Sequence, residues 1–274
     1  LYMQMKEKFK TKNLRKTVLE MAFCGSAVHI GCAFSIIEIL AVLYRDHLRY
    51  HGNNPFDSNR DYFVLSKGHG VMAQYACLRE LKWLKNEDFT NYFSNGSILK
   101  GLSDSRVPGL EVSSGSLGHG FSVGVGMAMG SKLNNTNQKT YVVVGDGEIN
   151  EGAVWEGALF AAHHELDNFM VIVDENGYQA MGSTKKIMAL DSIQKKFESF
   201  GFEAITIDGH NEIDIHNGIN NLFSSNIKSP KAIIAKTVKG KGVSFMEGNN
   251  AWHYTRLNTD TYRQALLEIE NSLL

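Results

Sequence analysis

Only three cysteines and three prolines stand among the 274 residues, and Lys plus Arg (28) almost match Asp plus Glu (29). The cysteines (Cys24, Cys32, Cys77) are odd in number and lack metal-ligand spacing, which argues against a disulfide framework and suits a reducing cytoplasm. A formal net charge of −1 leaves no basic footprint for nucleic acid. No stretch approaches the ~18 consecutive apolar residues of a membrane-spanning helix. No leader peptide, repeat, low-complexity tract or linker is legible either. What is present is a hydrophobic content of 43%, enough for a globular core, together with 26 glycines and 10 histidines. Most of those histidines are expected to be structural or on the surface. Residues 1–274 read as one domain.

The informative stretch is 141–182, YVVVGDGEINEGAVWEGALFAAHHELDNFMVIVDENGYQAMG. A β-branched run over 141–144 breaks at Gly145-Asp146-Gly147. Helical spacing follows at Val154, Ala158, Leu159, Ala161 and Ala162, and a second apolar run over 169–173 breaks at Asp174-Glu175-Asn176-Gly177. Strand, turn, helix, strand, turn is a βαβ unit. Both turns would lie at the carboxyl ends of parallel strands, where open α/β sheets bind ligands. If those strands are neighbours, the Asp146 carboxylate and the Asn176 amide reach one point above the sheet edge.

One carboxylate, one side-chain amide and nearby carbonyls are hard oxygen donors, suited to magnesium better than to zinc and too few for a calcium cage. Magnesium held this way completes its octahedron with phosphate oxygens and water. Gly145 and Gly147 let backbone approach a diphosphate closely, and the helix start beyond them favours an anion. A lone Gly-Asp-Gly is more often just a turn. The second oxygen-bearing turn at the right distance favours a magnesium diphosphate site.

GDG followed about 30 residues later by Asn after a hydrophobic strand resembles the fingerprint of thiamine-diphosphate enzymes. The fuller string GDGEINEGAVWEGALFAAHHELDN, then VIVDENG and GST, is similar to the transketolase branch. That resemblance implies Asp146, Asn176 and the carbonyl of Tyr178 as ligands of magnesium, with calcium or manganese able to substitute. It places Gly145, Gly147 and Glu148 at the cofactor, and Glu151 in a network linking two active sites of a dimer.

The remaining segments extend the likeness. Helices are expected over 6–26, 33–48, 71–82, 188–199 and 259–272, and strands over 61–66, 202–207 and 231–237. Such alternation makes a doubly wound α/β fold, mainly parallel, with helices on both faces. By resemblance, His29 in CGSAVHIGCAFS faces the reacting centre, His69 in LSKGHG touches cofactor and substrate, and His253 in AWH contacts the diphosphate and the substrate side. Gly115 and Leu117 in SGSLGHG pack beside the diphosphate, and His119 is expected close to the cofactor. His210 is read as structural. Four glycines in the next helix (Gly120, Gly124, Gly126, Gly130) suggest close backbone packing.

Four positions depart from the family pattern: Val28 and Ile30 around His29, Leu102 where a donor-contacting histidine is usual, and Tyr254 where glycine is usual. They point to a reshaped substrate pocket. Full transketolases are over twice this long, and a second domain holds the pyrimidine ring. The resemblance therefore implies the diphosphate-binding half of a split transketolase, with the pyrimidine-binding and C-terminal domains on a separate chain in an α2β2 heterotetramer. Its implied chemistry moves a two-carbon ketol unit from a ketose to an aldehyde, the cofactor supplying the carbanion and His29, His69 and His253 the protons. Two related readings stay open: a specialised transferase acting on an unusual or nucleotide-linked sugar, and a 2-oxoacid dehydrogenase-like α chain. A non-catalytic paralogue is disfavoured by the intact Asp146/Asn176 pair.

Overall fold

The structure, a computed structural model, describes residues 8–25, 28–51 and 54–272. Strands β1 (Tyr62–Leu65), β2 (Thr140–Gly145) and β3 (Phe169–Glu175) are followed by a small antiparallel hairpin, β4 (Tyr178–Gln179) with β5 (Gly182–Ser183). Strands β6 (Glu203–Asp208) and β7 (Lys231–Lys236) complete a five-stranded parallel sheet of order β1-β2-β3-β7-β6. The central strands are buried on both faces, so they read as unbroken apolar runs.

Helices cover both faces. In chain order they are α1 (Thr11–Cys24), α2 (Ile30–Phe34), α3 (Ile37–Val42), α4 (Val71–Glu80), α5 (Asn86–Thr90), α6 (His119–Leu133) and α7 (Gly152–His163). There follow α8 (Thr184–Ile187), α9 (Ile193–Ser199), α10 (Glu212–Phe223) and α11 (Thr259–Asn271). Phe121, Val142, Val144, Phe169, Val171 and Phe197 form the core under α6, α7 and α9. Tyr141, Val143, Ile172 and Ile233 face the opposite layer, where α1, α3, α4 and α10 supply Leu14, Ile37, Leu78 and Ile219. Neighbouring residues of one strand thus serve different cores. From β3 to β6 the chain advances across the sheet with α9 on one face. It then doubles back to β7 with α10 on the other, as right-handed crossovers require.

The 33–48 segment is not one helix. Ile36 leaves the helical region (φ −112°) between α2 and α3, and the segment ends in a π-helical turn at Leu43–His47. The break lies beside Ser35, whose hydroxyl bonds the Cys32 carbonyl at 3.1 Å and, from far along the chain, the Asp174 carboxylate at 2.7 Å, drawing the backbone towards the carboxyl end of β3. The 188–199 segment keeps only α9, which begins where Ser192 accepts from the Lys195 amide. Residues 6, 7 and 26 of the first expected helix lie outside the described residues, and α1 fills the interior of that range. Of the four glycines in α6, two behave as expected. A Cβ at Gly124 would sit 2.3 Å from Val142 Cγ2 and one at Gly120 2.7 Å from Ser66 Cα, whereas Gly126 and Gly130 look onto open space. Among the described residues no helix is long and apolar enough to cross a membrane.

Candidate active site

Strands β2 and β3 are neighbours, in register from Thr140↔Phe169 to Gly145↔Asp174. Their two terminal turns are therefore joined. The Gly177 N–H donates to Asp146 Oδ2 at 2.6 Å, the Gly147 N–H to Asp146 Oδ1 at 2.8 Å, and the Asp146 N–H to the Asp174 carbonyl at 3.2 Å. Asn176 is oriented from both ends of its amide, donating to Asp174 Oδ2 at 2.8 Å and accepting from the Tyr178 N–H at 3.0 Å.

Beneath this turn pair lies a fully buried lysine, Lys67, whose ammonium bonds Asp174 Oδ2 and, at 3.2 Å, the Cys32 carbonyl. Asp174 also accepts from Ser35 and Thr237. Burial alone would raise its pKa, but the Lys67 charge and these donors hold it below the ordinary carboxylate value. Glu148 is a second hub, taking the Ser66 hydroxyl, the Gly118 N–H at 2.9 Å and the Gly145 N–H at 3.2 Å. Its carboxyl fixes three loops to one another, and burial pushes its pKa up.

Three histidines from distant segments stand over the turns. His29 lies 5.2 Å from both His69 and His253, centroid to centroid, and the latter two are 6.0 Å apart. The N–H groups of Val28 and Thr255 exchange backbone bonds at 2.9 and 3.1 Å, an isolated antiparallel bridge that joins the His29 loop to the His253 loop. The departures at Val28, Ile30 and Tyr254 cluster around it: Val28 and Ile30 are buried, and the Tyr254 ring rests 4.7 Å from His29. Burial first, and then the Lys239 charge, hold His29 and His253 down at about 4, while burial and Lys67 push His69 well below the usual imidazole value. All three are neutral imidazoles at pH 7. The Lys239 ammonium bonds His253 Nδ1 at 2.8 Å and Asn250 Oδ1 at 2.9 Å, so His253 accepts at Nδ1 and carries its proton on Nε2. Burial, reinforced by Lys67, lowers Lys239 to about 8.

These groups enclose a cleft of about 290 Å³. Its walls include His29, His69, His253, Gly115, Leu117, Gly145, Asp146, Gly147, Glu148, Asn176 and Tyr178, all singled out by the sequence. Two further residues singled out by the sequence do not line it. Glu151 is exposed ahead of α7, its Cβ lying 2.8 Å from where a Cβ on Gly118 would be, and does not line the cleft. His119 is exposed at the start of α6, its ring facing Ser116 and the Leu117 carbonyl at 3.3 Å. The sequence reading missed Lys67, Lys239 and Cys32, because a lysine or a lone cysteine in a string gives no sign of burial. The position of Lys67 inside LSKGHG was the one available signal. His210 is structural as read, accepting from the Val238 N–H at Nε2 (2.8 Å) and facing Glu38 through Nδ1 (2.9 Å).

The donor set suits a divalent cation and an anion. Asp146 is almost fully buried beside Asp174, and burial together with that neighbour lifts its carboxyl to about 7. The Gly147 and Gly177 N–H groups and the Lys67 charge compensate it only in part, and a hard cation would complete the compensation. Gly115, at φ +133°, and Gly145 bring bare backbone to the cleft wall.

Comparison with known proteins places this architecture. Residues 10–268 match the family described as transketolase, thiamine diphosphate binding domain, and the chain belongs to that family. It is 38% identical over 259 residues to a subunit of apulose-4-phosphate transketolase from Phocaeicola vulgatus, covering 94% of this chain and 92% of the relative. It is 36% identical over 258 residues to a 6-deoxy-6-sulfo-D-fructose transketolase subunit of a Clostridium species, covering 94% of each. The crystal structure of Campylobacter jejuni transketolase superposes with a TM-score of 0.90 at 30% identity, over 97% of this chain but 43% of that one.

Proposed function

We propose that this chain is the diphosphate-binding subunit of a split transketolase-type enzyme that moves a two-carbon ketol unit from a ketose donor to an aldehyde acceptor. Two facts support the split: relatives of nearly equal length are named subunits, and single-chain transketolase is more than twice as long. In this reading the chain acts as one domain in the cytoplasm. A separate chain supplies the pyrimidine-binding and C-terminal domains, in an α2β2 heterotetramer.

Asp146, Asn176 and the Tyr178 carbonyl would hold magnesium, or calcium or manganese in its place. Gly115, Leu117, Gly145, Gly147, His69 and His253 would flank the diphosphate, with Glu148 positioning their loops. When bound, thiamine diphosphate supplies the carbon nucleophile needed to cleave the bond beside a ketose carbonyl. The chain's own part is to bind, orient and move protons. Neutral His29, His69 and His253 can each donate from the protonated ring nitrogen to an oxygen that gains charge, and His29 and His69 can take up a proton on the other nitrogen, whereas His253 Nδ1 is held by Lys239. Glu151, outside the cleft, would act across the subunit contact.

The observation that carries this reading is the bonded turn pair, Asp146 to Gly177, lying in the same cleft as the three histidines. Leu102 in that cleft favours an unusual sugar over an ordinary sugar phosphate, with a nucleotide-linked sugar as the variant reading. Calorimetric titration with thiamine diphosphate and Mg²⁺ tests the proposal. Weak binding by the chain alone and tight binding with its partner chain is the expected result. Tight binding by the chain alone would overturn the split.

A further inference from the structure

Most side chains lining the cleft bear nitrogen or oxygen. Leu102 instead presents aliphatic surface, 46% exposed, and several independent contacts hold it there. It lies flat on Gly115, where a Cβ would come within 2.9 Å of its Cδ2. The residue before it, Gly101, receives the Phe93 ring, whose Cε2 would be 2.8 Å from a Cβ at that position. Phe93 itself sits in the left-handed region (φ +61°) with its N–H bonded to the Leu99 carbonyl at 3.1 Å. A bulky residue keeps that conformation only where its surroundings impose it. On the far side, the Ser114 N–H bonds the Ser103 carbonyl at 3.2 Å. The loop is thus fixed before and after Leu102, and the leucine is aimed rather than left over.

An aliphatic wall discriminates by chemistry. A substrate hydroxyl pressed against Leu102 would give up water and find no partner, whereas a methyl or methylene carbon there gains from the same contact. The exposed Tyr254 ring beside His29 adds a further flat, largely apolar surface.

We propose that Leu102 is a specificity-determining residue that selects a deoxy sugar, one carrying a methyl or methylene carbon where an ordinary ketose carries a hydroxyl. This rests on the transketolase-type reading above.

The test uses the chain assembled with its partner chain, thiamine diphosphate and Mg²⁺, with glycolaldehyde as acceptor. D-xylulose is compared as donor with its 4-deoxy and 5-deoxy analogues, both of which keep the ketol unit. The expected result is a kcat/KM for one deoxy donor about 10-fold above that for D-xylulose, reversed in Leu102→Asn and retained in the volume-conserving Leu102→Met. A wild-type preference for D-xylulose, or a ratio unchanged in Leu102→Asn, would overturn the proposal and leave the transferase reading intact. Cofactor affinity measured on each variant confirms that it is folded. An assembly that binds the cofactor yet turns over no ketose would overturn both readings.

Discussion

Two buried clusters of charge lie on the same protein and behave in opposite ways. In the first, Arg15 grips Glu38, with Nη2 2.9 Å from Oε2 and Nη1 2.6 Å from Oε1, and His210 closes the other side. Burial pushes Glu38 up, but the His210 bond and the Arg15 charge win and hold it at about 2. In the second, the cleft, Asp146 is lifted to about 7, Lys239 is lowered to about 8 and two histidines fall to about 4. Each of these groups is driven towards its neutral form, since burial there outweighs pairing. A finished cluster stabilises the fold; an unfinished one is suited to receive charge from outside.

Breaking the finished cluster should give the largest effect. Arg15→Leu strands the Glu38 carboxylate and is expected to cost about 3–5 kcal/mol, read from the denaturant midpoint, with little change in cofactor affinity once folded. The cleft should respond in the reverse manner. Asp146→Ala is expected to weaken Mg²⁺-dependent cofactor binding by about 100-fold in calorimetry, with the melting temperature of the unloaded chain unchanged or raised. Unchanged activity of that variant in the assembled enzyme would sink the metal assignment.

The finest distinction is in pH dependence. Glu38 has its folded pKa depressed from 4.5 to about 2, so its contribution is complete above 4.5 and is lost as pH falls through about 2. His253 is depressed from 6.5 to about 4, so the unfolded chain takes up a proton that the fold refuses, and stability declines as pH drops from 6.5 towards 4. The urea midpoint should therefore fall less steeply with acid below pH 4.5 in Glu38→Gln, and less steeply between 6.5 and 4 in His253→Gln, where His29 still contributes. Identical profiles for the two variants would erase the contrast between the clusters.

Much of the unfinished cluster was legible in the sequence because turns at strand ends announce themselves. Gly145-Asp146-Gly147 and Asn176 follow apolar runs of strand length, and strand adjacency did the rest. The finished cluster was almost invisible: Arg15, Glu38 and His210 come from separate helices and a loop, and only packing brings them together. Lys67 and Lys239 escaped for the same reason, since burial is a property of the fold rather than of the residue. The break at Ile36 depends on Ser35 reaching Asp174, a contact 139 positions away.

The bridge between Val28 and Thr255 has a consequence for the order of events during synthesis. Chains emerge from the amino end, and a domain generally folds as a unit. The partners of the Asp146–Gly177 bond are both present by residue 177, but the His29 loop has no bridging partner until residue 255 has been made. The histidine triad therefore cannot be bridged until nearly the whole chain has been made, so a chain stopped short of residue 255 lacks the tie that joins its first histidine loop to its last.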